Sequence, residues 1–281
     1  MATGEMKVYE RTDFLALVPG SDVATAMEMN RDGEEGFSER DLITVKTPSG
    51  GGNHWTVKGT SGTEMLPFLE GVIVFRCLKG NLWKTDETGK DRPVLSSEDM
   101  KVARLVIPWE EVPPEMQEVL PKHELTEAEI RNDARFATVS AENLPRMFWW
   151  DGPNKLPYCE FGSSTKAGSR GKKAKDYQML YLLRKNEGLP IRIQLGPTSI
   201  QPVRQFFNQM SDIPFVRAVV RLTLKEDVSA AGKTYSKIVL ERIGILPADV
   251  GDSINQKYRL PIKTAFEAGR LNLDVTEDTT D

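Results

Sequence analysis

The side chains of this 281-residue sequence best placed to do chemistry are cations and aromatic rings. The densest cationic stretch runs from Lys166 to Arg192. It holds Lys166, Arg170, Lys172, Lys173, Lys175, Arg184, Lys185 and Arg192 against Asp176 and Glu187, a net of +6. Its first half is rich in Gly and Ser, so the backbone can approach phosphates closely while Lys and Arg neutralise them. It is not a nucleoside-triphosphate loop, because no Gly-x4-Gly-Lys-Ser/Thr spacing occurs. A solvated basic loop is the plainer alternative. The aromatics Tyr177 and Tyr181 that follow favour a nucleic-acid ligand.

A second cationic feature comes from period-2 alternation in FVRAVVRLTLK. Val216, Ala218, Val220, Leu222 and Leu224 share one face, which suits a core. The other face carries Arg217, Val219, Arg221, Thr223 and Lys225, a stripe that Lys237 extends and Glu241 interrupts. An ordinary wet face explains that pattern equally well. Lys46 and Lys58, on earlier strands, add to the cationic set. Trp55 follows a Gly-rich tip and Trp83 a hairpin turn, positions from which an indole can offer a base a stacking surface. Trp149 and Trp150 adjoin the basic loop, while Phe206 and Phe207 suit core packing.

Other chemistries find no support. The two histidines, His54 and His123, have no partners at metal-ligand spacing, and the two cysteines, Cys77 and Cys159, cannot form a disulfide framework. No Gly-x-Ser-x-Gly elbow, dinucleotide fingerprint or nuclease-like acid cluster is present, so the reading is a non-enzyme without metal or cofactor. Lys+Arg number 37 and Asp+Glu 41, a net of −4, which excludes a uniformly basic polyanion binder. Any anion must meet a local patch. No apolar run is long enough to span a membrane or form a signal core, and the expectation is a cytoplasmic protein.

The elements that must position these residues are mainly strands. Residues 1–41, with a net of −6 over the first 45 residues, read as an acidic arm with a short helix in SDVATAMEMN. LITVK and HWTVK read as a hairpin across TPSGGGN, and GVIVFRCL turns at GN into LWKT. Residues 96–150, with eleven acids and six bases, read as a partly helical insertion without a core of its own. Within it, Thr126 and Glu129 have capping-box spacing. YQMLYLLR and PIRIQL are strands, TSIQPVRQFFNQM a helix, and FVRAVVRLTLK with YSKIVLERIG a closing hairpin. The whole suits an α+β, mainly β domain over residues 42–268, an oligonucleotide-binding-like Greek-key barrel. Residues 269–281 read as a disordered acidic tail, with Asp274, Glu277, Asp278 and Asp281.

Taken in order, TPSGGGNHWTV, LEGVIVF with a later LW, LSSED, PYCEFGSSTKAGSRGKKAK, LPIRIQLGPTSIQPVRQFF and VVRLTLKED with GKTYSKIVLE resemble a family. It is one of bacteriophage and mobile-element proteins regarded as single-stranded DNA-binding proteins, and the likeness runs from about Ser21 to Leu246. It implies sequence-independent binding and protection of single-stranded DNA during phage replication or recombination. It also implies an acidic tail that engages replication or recombination proteins. Members carry four cysteines suited to structural zinc, where this chain has Leu95, Pro153, Leu156 and Ala174. An alternative reading is a phage protein-interaction module, an assembly factor or an inhibitor of a host enzyme, acting through its acidic surfaces.

Overall fold

The aliphatic alternation of the last third of the chain builds a long antiparallel hairpin around which one sheet is organised. The computed structural model describes residues 7–10, 13–14, 42–48, 50–59, 62–85, 91–164, 171–229 and 232–267. The strands are β1 (Lys7–Val8), β2 (Thr44–Lys46), β3 (Trp55–Gly59), β4 (Gly62–Leu66), β5 (Phe68–Thr85), β6 (Asp91–Ser97), β7 (Val102–Leu105), β8 (Met147–Trp149), β9 (Lys175–Arg184), β10 (Ile191–Leu195), β11 (Ala218–Val228) and β12 (Thr234–Ile245). The helices are α1 (Pro114–Gln117), α2 (Glu127–Arg131), α3 (Ile200–Gln209), α4 (Ala248–Ile254) and α5 (Leu260–Glu267), the last two joined by a π-helical turn over Asn255–Arg259. The fold is mainly β, with a mixed sheet and a few helices. The helix expected in SDVATAMEMN and the tail expected from 269 lie outside the described residues.

The chain forms two compact units, one from residues up to Arg76 and from Gln178 onward, the other from Cys77–Tyr177. In the first, β11 and β12 pair from Ala218↔Ile245 to Val228↔Thr234, with one irregularity between Val219 and Val220. The start of β5 lies antiparallel to β11, from Val219↔Val72 to Thr223↔Phe68. β10 pairs antiparallel with β9 and parallel with β2, and β1 runs parallel to β12. Alternate residues of these strands, among them Leu180, Leu182, Ile191, Ile193, Val220 and Leu222, form one apolar core. Helix α3 covers it with Val203, Phe206 and Phe207, and Met210 follows at its end. A Cβ at Gly71 would collide with the Leu183 carbonyl oxygen, so glycine permits the approach of β9. Among the described residues β1 borders only β12 and β2 only β10, so the sheet is open.

Two local expectations give way to tertiary pairing. The hairpin read across TPSGGGN does not form. β2 joins β10, and β3 pairs with β4 as a separate two-stranded sheet, Trp55↔Leu66 to Gly59↔Gly62. Burying Val45 and Trp55 in the core decides the partners, overriding the turn signal between them. The turn read at Gly80-Asn81 is also absent, because β5 continues straight through it for 18 residues. Gly80 is needed there for packing, since a Cβ would run into the Trp150 ring.

In the second unit the end of β5, β6, β7 and β8 form an antiparallel meander. The register shifts beside Pro93, which has no N–H to give the ladder. Leu82, Val94, Leu95, Ala103, Met116, Leu120, Phe148, Trp150 and Leu156 make a core, to which residues 96–150 contribute Ala103, Met116, Leu120, Phe148 and Trp150. The capping box expected at Thr126 is present. Glu129 N–H donates to Thr126 Oγ1 at 3.3 Å, and Thr126 N–H donates to Glu129 Oε2 at 2.8 Å.

Candidate nucleic-acid interface

The basic loop of the second unit grows from a short 3-10 turn, Pro157–Cys159, which Pro157 starts and the apolar core pins through Leu156 and Cys159. Burial and the nearby Asp176 push the Cys159 thiol up to about 12, so it stays protonated and packs as a small apolar group. Burial, and secondarily Glu115, also raises the Tyr158 phenol. Beyond the turn, Gly162 takes φ +88°, and the Gly171 carbonyl accepts from both Gly162 N–H (3.2 Å) and Ser164 N–H (3.0 Å). Ser163 Oγ accepts from Lys173 N–H at 2.9 Å, and Ala174 N–H donates to the Tyr158 carbonyl at 3.0 Å. The two flanks of residues 165–170 are therefore laced together. Lys166 and Arg170 themselves lie outside the described residues.

On this frame cations and rings interleave. Lys172 Nζ sits 5.2 Å from the Phe161 ring centroid and Lys173 Nζ 4.8 Å from that of Tyr158. Lys172 is also paired to Asp176 at 2.8 Å, and Lys175 Nζ donates to the Lys172 carbonyl at 2.6 Å. Phe161 is 83% exposed, the most exposed of the large apolar side chains described. A pocket of about 350 Å³ opens beside it, lined by Met100, Trp150, Lys155, Glu160, Phe161 and Lys172 among others. Met100 holds φ 62°, a left-handed conformation uncommon for a non-glycine residue. Its N–H donates to Ser97 Oγ at 3.0 Å. Trp83 is half-buried, edge-on to Tyr177 with ring centroids 6.5 Å apart, and its buried indole N–H has no acceptor among the described residues.

The residues expected in the first unit fare differently. Trp55 is 0% exposed, and its indole donates to the Leu222 carbonyl at 3.0 Å, so it is core and offers no stacking face. Arg192 is buried, with Nε donating to Thr44 Oγ1. The stripe on β11 is broken. Arg217 lies in the turn before the strand and donates to the Leu246 carbonyl at 3.1 Å, while Val219 is buried. Arg221 faces Glu70 in register and donates to it at 2.6 Å. Lys225 and Lys58 project to solvent and Lys46 is half-buried beside β10.

Phe161 and Tyr158 were missed by sequence reading. The available signal was the pair of aromatics flanking Cys159 in PYCEF, directly before the basic run. Leu95, Leu156 and Ala174 pack in one core with Cys159. Among the described residues no three His, Cys, Asp or Glu side chains gather as metal ligands. No helix there is long and apolar enough to cross a membrane. Asp274, Glu277, Asp278 and Asp281 lie outside the described residues. No protein-family model, curated protein or solved structure matches this chain.

Proposed function

We propose that the protein binds single-stranded DNA with little sequence preference, through the loop of its second unit. One observation carries this reading: an 83% exposed Phe161 beside Tyr158, with Lys172 and Lys173 held over the two rings on a laced, glycine-containing frame. An exposed ring offers any base a π-face; Lys173, with no carboxylate partner among the described residues, can meet a phosphate directly, and Lys172 by exchanging Asp176 for it. Lys166 and Arg170, which precede Lys172 in the sequence, add two more cations to the basic run. The family likeness agrees with this reading. An oligonucleotide-binding barrel is not required, because a loop on a rigid meander presents the same groups.

The test is a titration of the full chain with a fluorescein-labelled oligothymidylate at two salt concentrations. Binding is expected at low salt, weakening as salt rises because phosphate contacts release counterions. Absence of binding at low salt, or affinity indifferent to salt, would overturn the reading.

A further inference from the structure

Three arginines of the first unit have acidic partners. Arg221 is paired with Glu70, Arg242 with Asp212 and Arg184 with Glu64. Arg76, on β5, and Arg204, on α3, depart from that pattern. Both are exposed, and among the described residues neither has a carboxylate within ion-pair distance or a hydrogen-bond acceptor. They nevertheless lie close enough to repel. Desolvation, and after it the charge of Arg204, lowers the basicity of Arg76.

The surroundings hold these groups in place. The Arg76 guanidinium stacks 4.3 Å from the Phe207 ring centroid, and Arg204 precedes Phe207 by one helical turn. Phe207 meets Phe206 and Phe215 edge-on, with centroids 5.7 and 5.6 Å away. The Arg259 guanidinium lies 5.5 Å over Phe215, its Nη1 donating to Asn255 Oδ1 at 3.2 Å. Two guanidinium groups, Arg76 and Arg259, thus lie over one aromatic cluster, with Arg204 one helical turn before its central ring, and none of the three has an ion-paired carboxylate among the described residues. Like charges held together are unfavourable until an anion joins them. Guanidinium forks match the tetrahedral oxygens of phosphate, and the Phe207 ring restricts the Arg76 fork in advance.

We propose that Arg76 and Arg204 form a phosphate-binding site on the first unit, with Arg259 at its margin. The ligand is a phosphoryl group, carried either by a nucleic-acid strand or by a free small molecule. The site does not depend on the Phe161 loop, which is in the other unit.

Two probes and three variants test it in the full chain. Inorganic pyrophosphate is followed by calorimetry and labelled oligothymidylate by anisotropy, for Arg76→Gln, Arg204→Gln and Arg204→Lys. If the phosphate is free, pyrophosphate binds the unmodified protein and each Gln variant weakens it about tenfold or more. If the phosphate belongs to a strand, oligonucleotide affinity falls and its salt slope drops by about 0.7 for each phosphate no longer neutralised. Arg204→Lys restores only part of either loss, since lysine keeps the charge without the fork. Arg204→Gln should not lower the melting temperature, because it removes a repulsion, and this separates lost binding from lost folding. Both Gln variants binding both probes like the parent would overturn the proposal. Pyrophosphate binding lost in these variants, in a protein that never binds the oligonucleotide, would support this site while removing the reading placed on Phe161.

Discussion

Trp55 and Phe161 are both large aromatics next to glycine-containing loops, yet their environments assign them opposite work. Trp55 is 0% exposed with its indole spent on Leu222, whereas Phe161 is 83% exposed and touches the Lys172 ammonium. Removing the first leaves a cavity in the core; removing the second leaves a site already open to solvent. Trp55→Ala should therefore cost about 3–5 kcal/mol in a urea titration. Phe161→Ala should leave the urea midpoint near its parent value and weaken oligonucleotide binding by about 1–3 kcal/mol. Equal stability losses in the two variants would contradict this division. The same logic separates the cations: Arg221 is neutralised by Glu70, while Lys225, on the same strand, meets no acid among the described residues.

At the scale of elements, β5 shows how packing overrules a turn signal. Gly80-Asn81 looks like a hairpin tip, but its glycine has no side chain because the Trp150 ring occupies that space. A methyl there would collide with a ring that is itself buried in the meander's core. Gly80→Ala is expected to destabilise by about 1–3 kcal/mol and to alter the near-ultraviolet dichroism of the tryptophans. Gly196→Ala is the contrast, since among the described residues nothing lies within 4 Å of its added Cβ, and its stability should hold or rise slightly. A Gly80→Ala protein as stable as the parent would mean that Trp150 can move. The lacing of Ser163, Ser164 and Gly171 works on the same principle, with local hydrogen bonds fixing the flanks from which the basic stretch emerges.

For the whole molecule, charge pairing sets the response to acid. Hydrogen bonds from Lys185, Arg135, Arg242 and Lys237 hold Asp13, Asp133, Asp212 and Asp227 below the usual carboxylate range. Folded values below the unfolded ones mean that these pairs stabilise the fold above the unfolded carboxylate pKa. That stability is lost as pH falls through the lower folded values. Glu187, raised by burial, works the other way as pH rises through the unfolded range. Urea midpoints should therefore fall on acidification below about pH 4, and Asp212→Asn with Asp227→Asn should flatten the fall. A midpoint independent of pH across that interval would show the pairs to be energetically idle. Much of this molecule was legible from residues close together in the chain. The alternation of β9 to β12, the Thr126 capping box and the cationic run ending at Lys175 are local patterns, set by side-chain period and backbone hydrogen bonding. What those residues face was not legible. Arg221 meets Glu70 across 151 positions and Trp55 reaches Leu222 across 167, separations over which no period or motif connects partners. Exposure of a ring and neutralisation of a cation are decided by such pairings, so only the folded chain could break the expected stripe on β11, pairing Arg221 with Glu70 and leaving Lys225 in solvent, and bring forward Phe161, Arg76 and Arg204.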